Sequence, residues 1–288
     1  MRIKTLAITA ALALLPSTSL QAQEDIVVTA IPHAPAELKK AVGNFVARVG
    51  RLTEQAQMAR RLDDYCPRII GLDEKYEPIV LNHINQAAEA AGLPRAAPDC
   101  ARNLIIVFTR DGDALTRELR RASPLTFRGI SPEKGRELFD SGRPVRWFYT
   151  PRSTSKNGQS AVDGVLRTYS ASIISTNIVI ALSGTVVIID VGKTEGFPLS
   201  SVSAYAAMVS FAQVSGNQQI LRETPTILGM FNREGPRKNA LPGLTQWDRA
   251  YLRSLYAIRM DRNSDQQRRA LSGMMSDELA KLADAPQN

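Results

Sequence analysis

The sequence predicts an α+β fold, a small mixed or antiparallel sheet packed with helices. Three observations carry that prediction. Apolar residues recur at helical spacing within several charged segments. Two short runs, NLIIVFT at 103–109 and TVVIIDV at 185–191, are rich in β-branched residues and read as buried strands. Of the 288 residues, 44% are hydrophobic and 22% charged, a balance that lets a chain of this length bury a core.

The first residues, MRIKTLAITAALALLPSTSLQAQ, set the compartment. Arg2 and Lys4 form a basic start, Leu6 to Leu15 an apolar run, and small and polar residues follow up to Ala22 or Gln23. That layout is a secretory signal peptide, residues 1–22, with an apolar run too short to span a bilayer. The mature chain is then expected in the periplasm or secreted, with no transmembrane segment once the leader is removed. Residues 23–36, Pro-bearing and extended, read as an N-terminal arm. A single α+β domain follows over 37–260, and 261–288 form a packing helix and tail.

Export changes how the cysteines read. Cys66 and Cys100 are the two in the chain, an even pair in an oxidising compartment. A structural disulfide around the helix between them is expected. The formal charge is +8, with Arg2 and Lys4 inside the leader. The remaining positive charges are scattered, as in RELRR at 117–121 and REGPRK at 233–238, and no aromatic residues interleave with them. That pattern excludes nucleic acid as a partner and suits peripheral contact with anionic envelope surfaces.

Along the domain, Leu38, Val42, Phe45, Val49 and Leu52 predict a helix over 36–63, and Tyr76 to Ala91 predict a second, over 74–91, stopped by Gly92 and Pro94. NLIIVFT is a strand; helices follow over 111–121 and 132–140, then PVRWFYT at 144–150 as a strand. Residues 151–164 read as an exposed loop. The runs ending at Leu182 and starting at Thr185 predict a hairpin across Ser183-Gly184. A helix over 200–214 is expected to be capped by Ser200 or Ser201, and Thr245 to cap LTQWDRAYLRSLY at 244–256, with Asp248 near its positive end. Ser264 and Gln267 have capping-box spacing for the last helix.

From about Ile173 to Tyr256 the predicted order is strand, strand, helix, Met-containing turn, helix. With Met230 in TILGMF and the closing helix LTQWDRAYLRSLY, that order resembles the zincin-type metalloproteases, above all the matrixin-like ones. The resemblance implies a zincin-like core over about 100–260, with Met230 as the Met-turn residue. It also implies a metal-binding H-E-x-x-H on the preceding helix. That helix reads SSVSAYAAMVSFAQV, with no histidine, carboxylate or cysteine. Its polar residues past the start, Ser203, Tyr205, Ser210 and Gln213, are the candidate groove residues, and neutral hydroxyls and amides do not replace two imidazoles. The two histidines, His33 in the arm and His83 beside Asn82 and Asn85, supply no matching set. No metal or cofactor is therefore expected, and a zincin-like fold here would be a pseudoenzyme. The overall pattern also resembles exported bacterial proteins, which implies a compartment and no activity.

Two further motifs stay open. Ser153 and Lys156 give S-x-x-K, similar to the nucleophile motif of β-lactamases and penicillin-binding proteins, but S-D-N and K-T-G are missing, and Lys193-Thr194-Glu195 is not K-T-G. Asp25, Ile26, Val27, Val28, Thr29 and Ala30 spell DIVVTA, which resembles the TonB box of outer-membrane receptors and implies strand addition to an energising partner. The leading expectation is a non-catalytic exported protein that binds a peptide, protein or envelope polymer. A hydrolase with an unrecognised site and an accessory to TonB-dependent uptake are the alternatives.

Overall fold

A computed structural model describes residues 31–32, 34–50, 57–127, 130–155, 159, 175–215, 224–233 and 235–284. The expected α+β class is observed. A four-stranded mixed sheet has the order β1-β2-β4-β3, where β1 is Pro67–Ile70, β2 Leu104–Thr109, β3 Val145–Ser155 and β4 Ile178–Asp190. β1, β2 and β4 run parallel, and β3 lies antiparallel to β4 along the outer edge.

Side chains alternate across a strand, and the register puts Ile69, Ile106, Val187 and Trp147 in one row across the sheet. That row joins the main core, under α1 (Pro35–Val49), α2 (Glu77–Ala90), α5 (Leu199–Phe211), α6 (Gln246–Ala257) and α7 (Ser264–Asp284). Here Phe45 meets Trp247 and Tyr251 edge-on at 5.6 and 5.7 Å. On the opposite face Phe148 meets Phe127, which packs on Phe139, so α3 (Gly112–Ala122) and the segment from α4 (Pro132–Gly135) through a π-helical turn at Arg136–Asp140 cover that side. Among the described residues no helix is long and apolar enough to cross a membrane.

The Cys66–Cys100 disulfide is present, with Cα atoms 5.6 Å apart. It joins the start of β1 to the segment entering β2, and in the loop-entropy model contributes roughly 4 kcal/mol.

Three local expectations are corrected. There is no hairpin at Ser183-Gly184. β4 runs straight through, with Thr150 opposite Gly184 and Pro151 opposite Leu182. Ser183 is the extra residue of a bulge and donates to the Thr150 carbonyl at 2.8 Å. β3 is the antiparallel partner and reaches Ser155, so 151–155 are strand rather than loop; Pro151 is tolerated because β3 is an edge strand. The first helix ends at Val49 rather than 63. At Gly50 a Cβ would stand 2.9 Å from Met58 Cε, and Arg60 bridges Ala181 of β4.

The caps of two helices also differ. α5 follows Pro198 and has no side-chain cap, leaving Ser200 and Ser201 inside its first turn. The reciprocal cap of α7 is Asn263 with Gln266, one residue before the expected pair. Gln267 faces inward instead. It is buried, accepts from the Met58 amide at 2.7 Å and donates to the Arg259 and Met260 carbonyls. The Thr245 cap of α6 is as expected, with Asp248 completing a capping box.

Candidate functional site

Helix α5 is hydrophobic all round, which is the pattern of a buried helix rather than of a surface one. Every residue from Ser201 to Phe211 is buried. Ser203, Tyr205 and Ser210 therefore lie inside the molecule, not along an open groove, and Gln213 is half-buried just past the helix end. Ser210 donates back to the Ala206 carbonyl at 2.6 Å, and Ser203 Oγ meets no partner among the described residues. Tyr205 stands between Trp147 of β3 and Phe231, at 5.9 and 5.0 Å, and Phe231 meets Phe197 at 5.0 Å. Four rings thus run from the sheet to the loop before α5. Burial pushes the Tyr205 phenol far above its ordinary value, so it stays protonated.

The segment after α5 carries the open chemistry. A 3-10 turn, Ile227–Asn232, packs against α5 and places Met230, 4% exposed, beside Phe231. One buried carboxylate holds this turn. Asp248, at the start of α6, accepts from Ile227 N at 2.9 Å and from Thr226 Oγ1, while Thr245 N and Thr245 Oγ1 each donate to it at 2.9 Å. Burial raises its pKa, and the four hydrogen bonds oppose that by favouring the anion.

Against this turn lies a pocket of about 280 Å³. Met230, Phe231, Phe197 and Leu241 give it apolar walls, and Arg233, Arg237 and Lys193 give it cationic ones. Arg233 Nη2 donates to the Thr224 and Thr226 carbonyls at 2.6 and 3.1 Å, which fixes its side chain. Its Nε is buried and meets no partner among the described residues. A buried donor left unmet costs about 1–3 kcal/mol. Arg237 stacks over Phe197 at 5.3 Å and donates to the Glu195 carbonyl at 2.8 Å. Among the described residues neither arginine forms an ion pair with a carboxylate.

Lys193 is different. Its Nζ lies 2.5 Å from Asp113 Oδ2 and 3.6 Å from Asp190 Oδ2. Asp111, Asp113 and Asp190 gather at the carboxyl ends of β2 and β4, their oxygens within 4.8 Å of one another. Asp190 is buried and accepts from Gly112 N at 3.0 Å and Lys193 N at 3.1 Å; Arg146, also buried, pairs with Asp113. The hydrogen bond from Lys193, with the Arg146 charge, holds the Asp113 carboxyl below its usual range. Asp113 and Asp190 are thus engaged by Arg146 and Lys193, while Asp111 accepts from Ala114 N at 2.8 Å. The cluster ties the loop carrying Lys193 and Phe197 to the sheet, which sets one wall of the pocket.

The remaining sequence candidates are placed as follows. Ser153 is exposed in β3, paired with Ile180, and does not open a helix; Lys156 lies outside the described residues. His83 is buried on α2, 7% exposed. Its Nδ1 meets no partner among the described residues, and burial, then the Arg249 charge, lowers its pKa. His33, Asp25 to Ala30 and the expected leader, residues 1–22, lie outside the described residues. The zinc ion that a zincin-like fold implies does not fit α5, whose side chains are apolar, hydroxyl or buried phenol and include no histidine, carboxylate or cysteine. Sequence reasoning missed Arg233 and Arg237 as a pair. Their signal was REGPRK directly after the Met230 segment, read only as part of the scattered positive charge. No protein-family model, no curated protein and no solved structure matches this chain.

Proposed function

We propose that this chain is an exported, non-catalytic binding protein on a degenerate zincin-like scaffold, and that its ligand enters the pocket beside Met230. One observation carries the reading. The helix that would hold a zincin's metal ligands is buried on every side and has no metal-binding donors, whereas the turn after it opens onto a pocket with both apolar and cationic walls. The packing of α5 against the Met230 turn supports the zincin-like part of the reading, and the basic, then apolar leader together with the Cys66–Cys100 disulfide supports export. Peptides and envelope polymers both offer segments of the size the pocket takes.

The test is metal content by mass spectrometry on protein purified without chelators, beside a broad peptide-hydrolysis screen. The reading predicts no bound zinc and no cleavage. Stoichiometric zinc with cleavage would overturn it and direct attention to His83.

A further inference from the structure

We infer that the pocket beside Met230 takes a carboxylate carried on a small apolar body, in the form of the C-terminal residue of a peptide. The inference rests on the binding reading above and gives that site its ligand class.

Charge decides first. Arg233 and Arg237 line the pocket, and neither has a carboxylate partner among the described residues, while Lys193 on the same wall is already engaged by Asp113 and Asp190. Asp248 acts on Arg233 only from beyond ion-pair distance, and among the described residues no carboxylate pairs with either guanidinium, so the two together favour an anion, and the planar fork of arginine matches a carboxylate in two parallel hydrogen bonds. Both side chains are also held in place. Arg233 is fixed by the Thr224 and Thr226 carbonyls, and Arg237 by the ring of Phe197 and the Glu195 carbonyl. Pre-positioned donors lose little freedom when a ligand arrives. Arg233 Nε, buried and unmet, is a donor that an incoming acceptor would satisfy.

Shape decides next. The walls beside these cations are Met230, Phe231, Phe197 and Leu241, so the anion must be joined to something apolar. A pocket of about 280 Å³ lies at the lower edge of small-molecule sites, roughly 300–1,000 Å³. It accommodates one apolar side chain and its carboxylate rather than a run of chain. A chain terminus supplies both on one residue.

The experiment is calorimetric titration of the mature protein with N-acetyl-leucine and N-acetyl-phenylalanine, their carboxamides, and inorganic phosphate. The acids should bind at least about tenfold more tightly than the amides, the scale of one or two charge-assisted hydrogen bonds. Arg237→Glu should abolish that preference; because Arg237 is exposed the variant keeps the fold, which circular dichroism checks. Arg233→Gln should weaken the acids as well. Equal binding of acid and amide would overturn the carboxylate class and leave a neutral apolar site, so the binding reading would survive. Phosphate competing as well as the acids would overturn the terminal-residue form. No binding of any probe at millimolar concentration, with the fold intact, would overturn the inference outright, whatever the metal and hydrolysis results say of catalysis.

Discussion

Two clusters of positive charge meet at one edge of the molecule, and they are used in opposite ways. At the ends of β2 and β4, Arg146 and Lys193 are matched against Asp113 and Asp190, and the helix start at Gly112 donates to Asp190 as well. At the Met230 pocket, Arg233 and Arg237 touch carbonyls and a ring, with no carboxylate within ion-pair reach among the described residues. In the first cluster each cation is paired with a carboxylate, although Arg146 Nε and Nη1 meet no partner among the described residues. The second has capacity left over. The contrast teaches that a cation's partners, more than its exposure, separate scaffold from site. Arg61 makes the same point from inside the core: it is buried, yet its guanidinium is met by the Ser210 and Asn103 carbonyls, Asn103 Oδ1 and Thr185 Oγ1.

The largest way to break the comparison is to remove what holds the pocket in place. Asp248→Ala leaves Ile227 N and the Thr226 and Thr245 donors unmet in the core, and should destabilise by about 3–5 kcal/mol in urea unfolding. Loss of the Met230 turn should accompany it. A change under about 1 kcal/mol would mean that the turn stands without its clasp.

Next in size is the first cluster. Asp113→Ala strands the buried Arg146, and should cost about 2 kcal/mol, reduced from the fully buried case because Asp113 is partly exposed. Arg237→Ala, on the other cluster, should change stability by no more than about 0.5 kcal/mol. Equal costs for the two variants would erase the distinction between them.

The fold was legible where a segment's own composition settled it. NLIIVFT and the Thr245–Asp248 cap were read correctly from local residues, and the disulfide was expected from the count of two cysteines and the compartment the leader-like start implies. The errors came where a distant partner decided. α1 stops at Val49, with Met58 packed close to Gly50, and β4 runs on through Gly184 with Thr150 across from it. β1, four residues with Arg68 inside it, is too short and mixed to read as a strand without its neighbour β2. The site was legible as far as Met230. Arg233 and Arg237 look like surface charge in sequence, because what marks them, no carboxylate within ion-pair distance among the described residues and the ring of Phe197 under Arg237, is set by tertiary packing.

The smallest effect concerns pH. In the folded chain burial, then the Arg249 charge, lowers the pKa of His83, so the unfolded chain takes up this proton first. Stability from the neutral imidazole is present above the unfolded pKa, about 6.5, and is lost as pH falls below it. His83→Gln should flatten the loss between about pH 7.5 and about pH 5.5, seen as urea midpoints that move less than in the parent. An unchanged slope would assign the pH response elsewhere.

The central claim is that ligand enters beside Met230. Methyl NMR on protein labelled at methionine tests it directly, with N-acetyl-leucine as the added ligand. The Met230 resonance should move with saturation, while Met58 and Met275, buried in the helix core, stay in place. A Met230 signal that does not move, or shifts spread equally over all three, would contradict it.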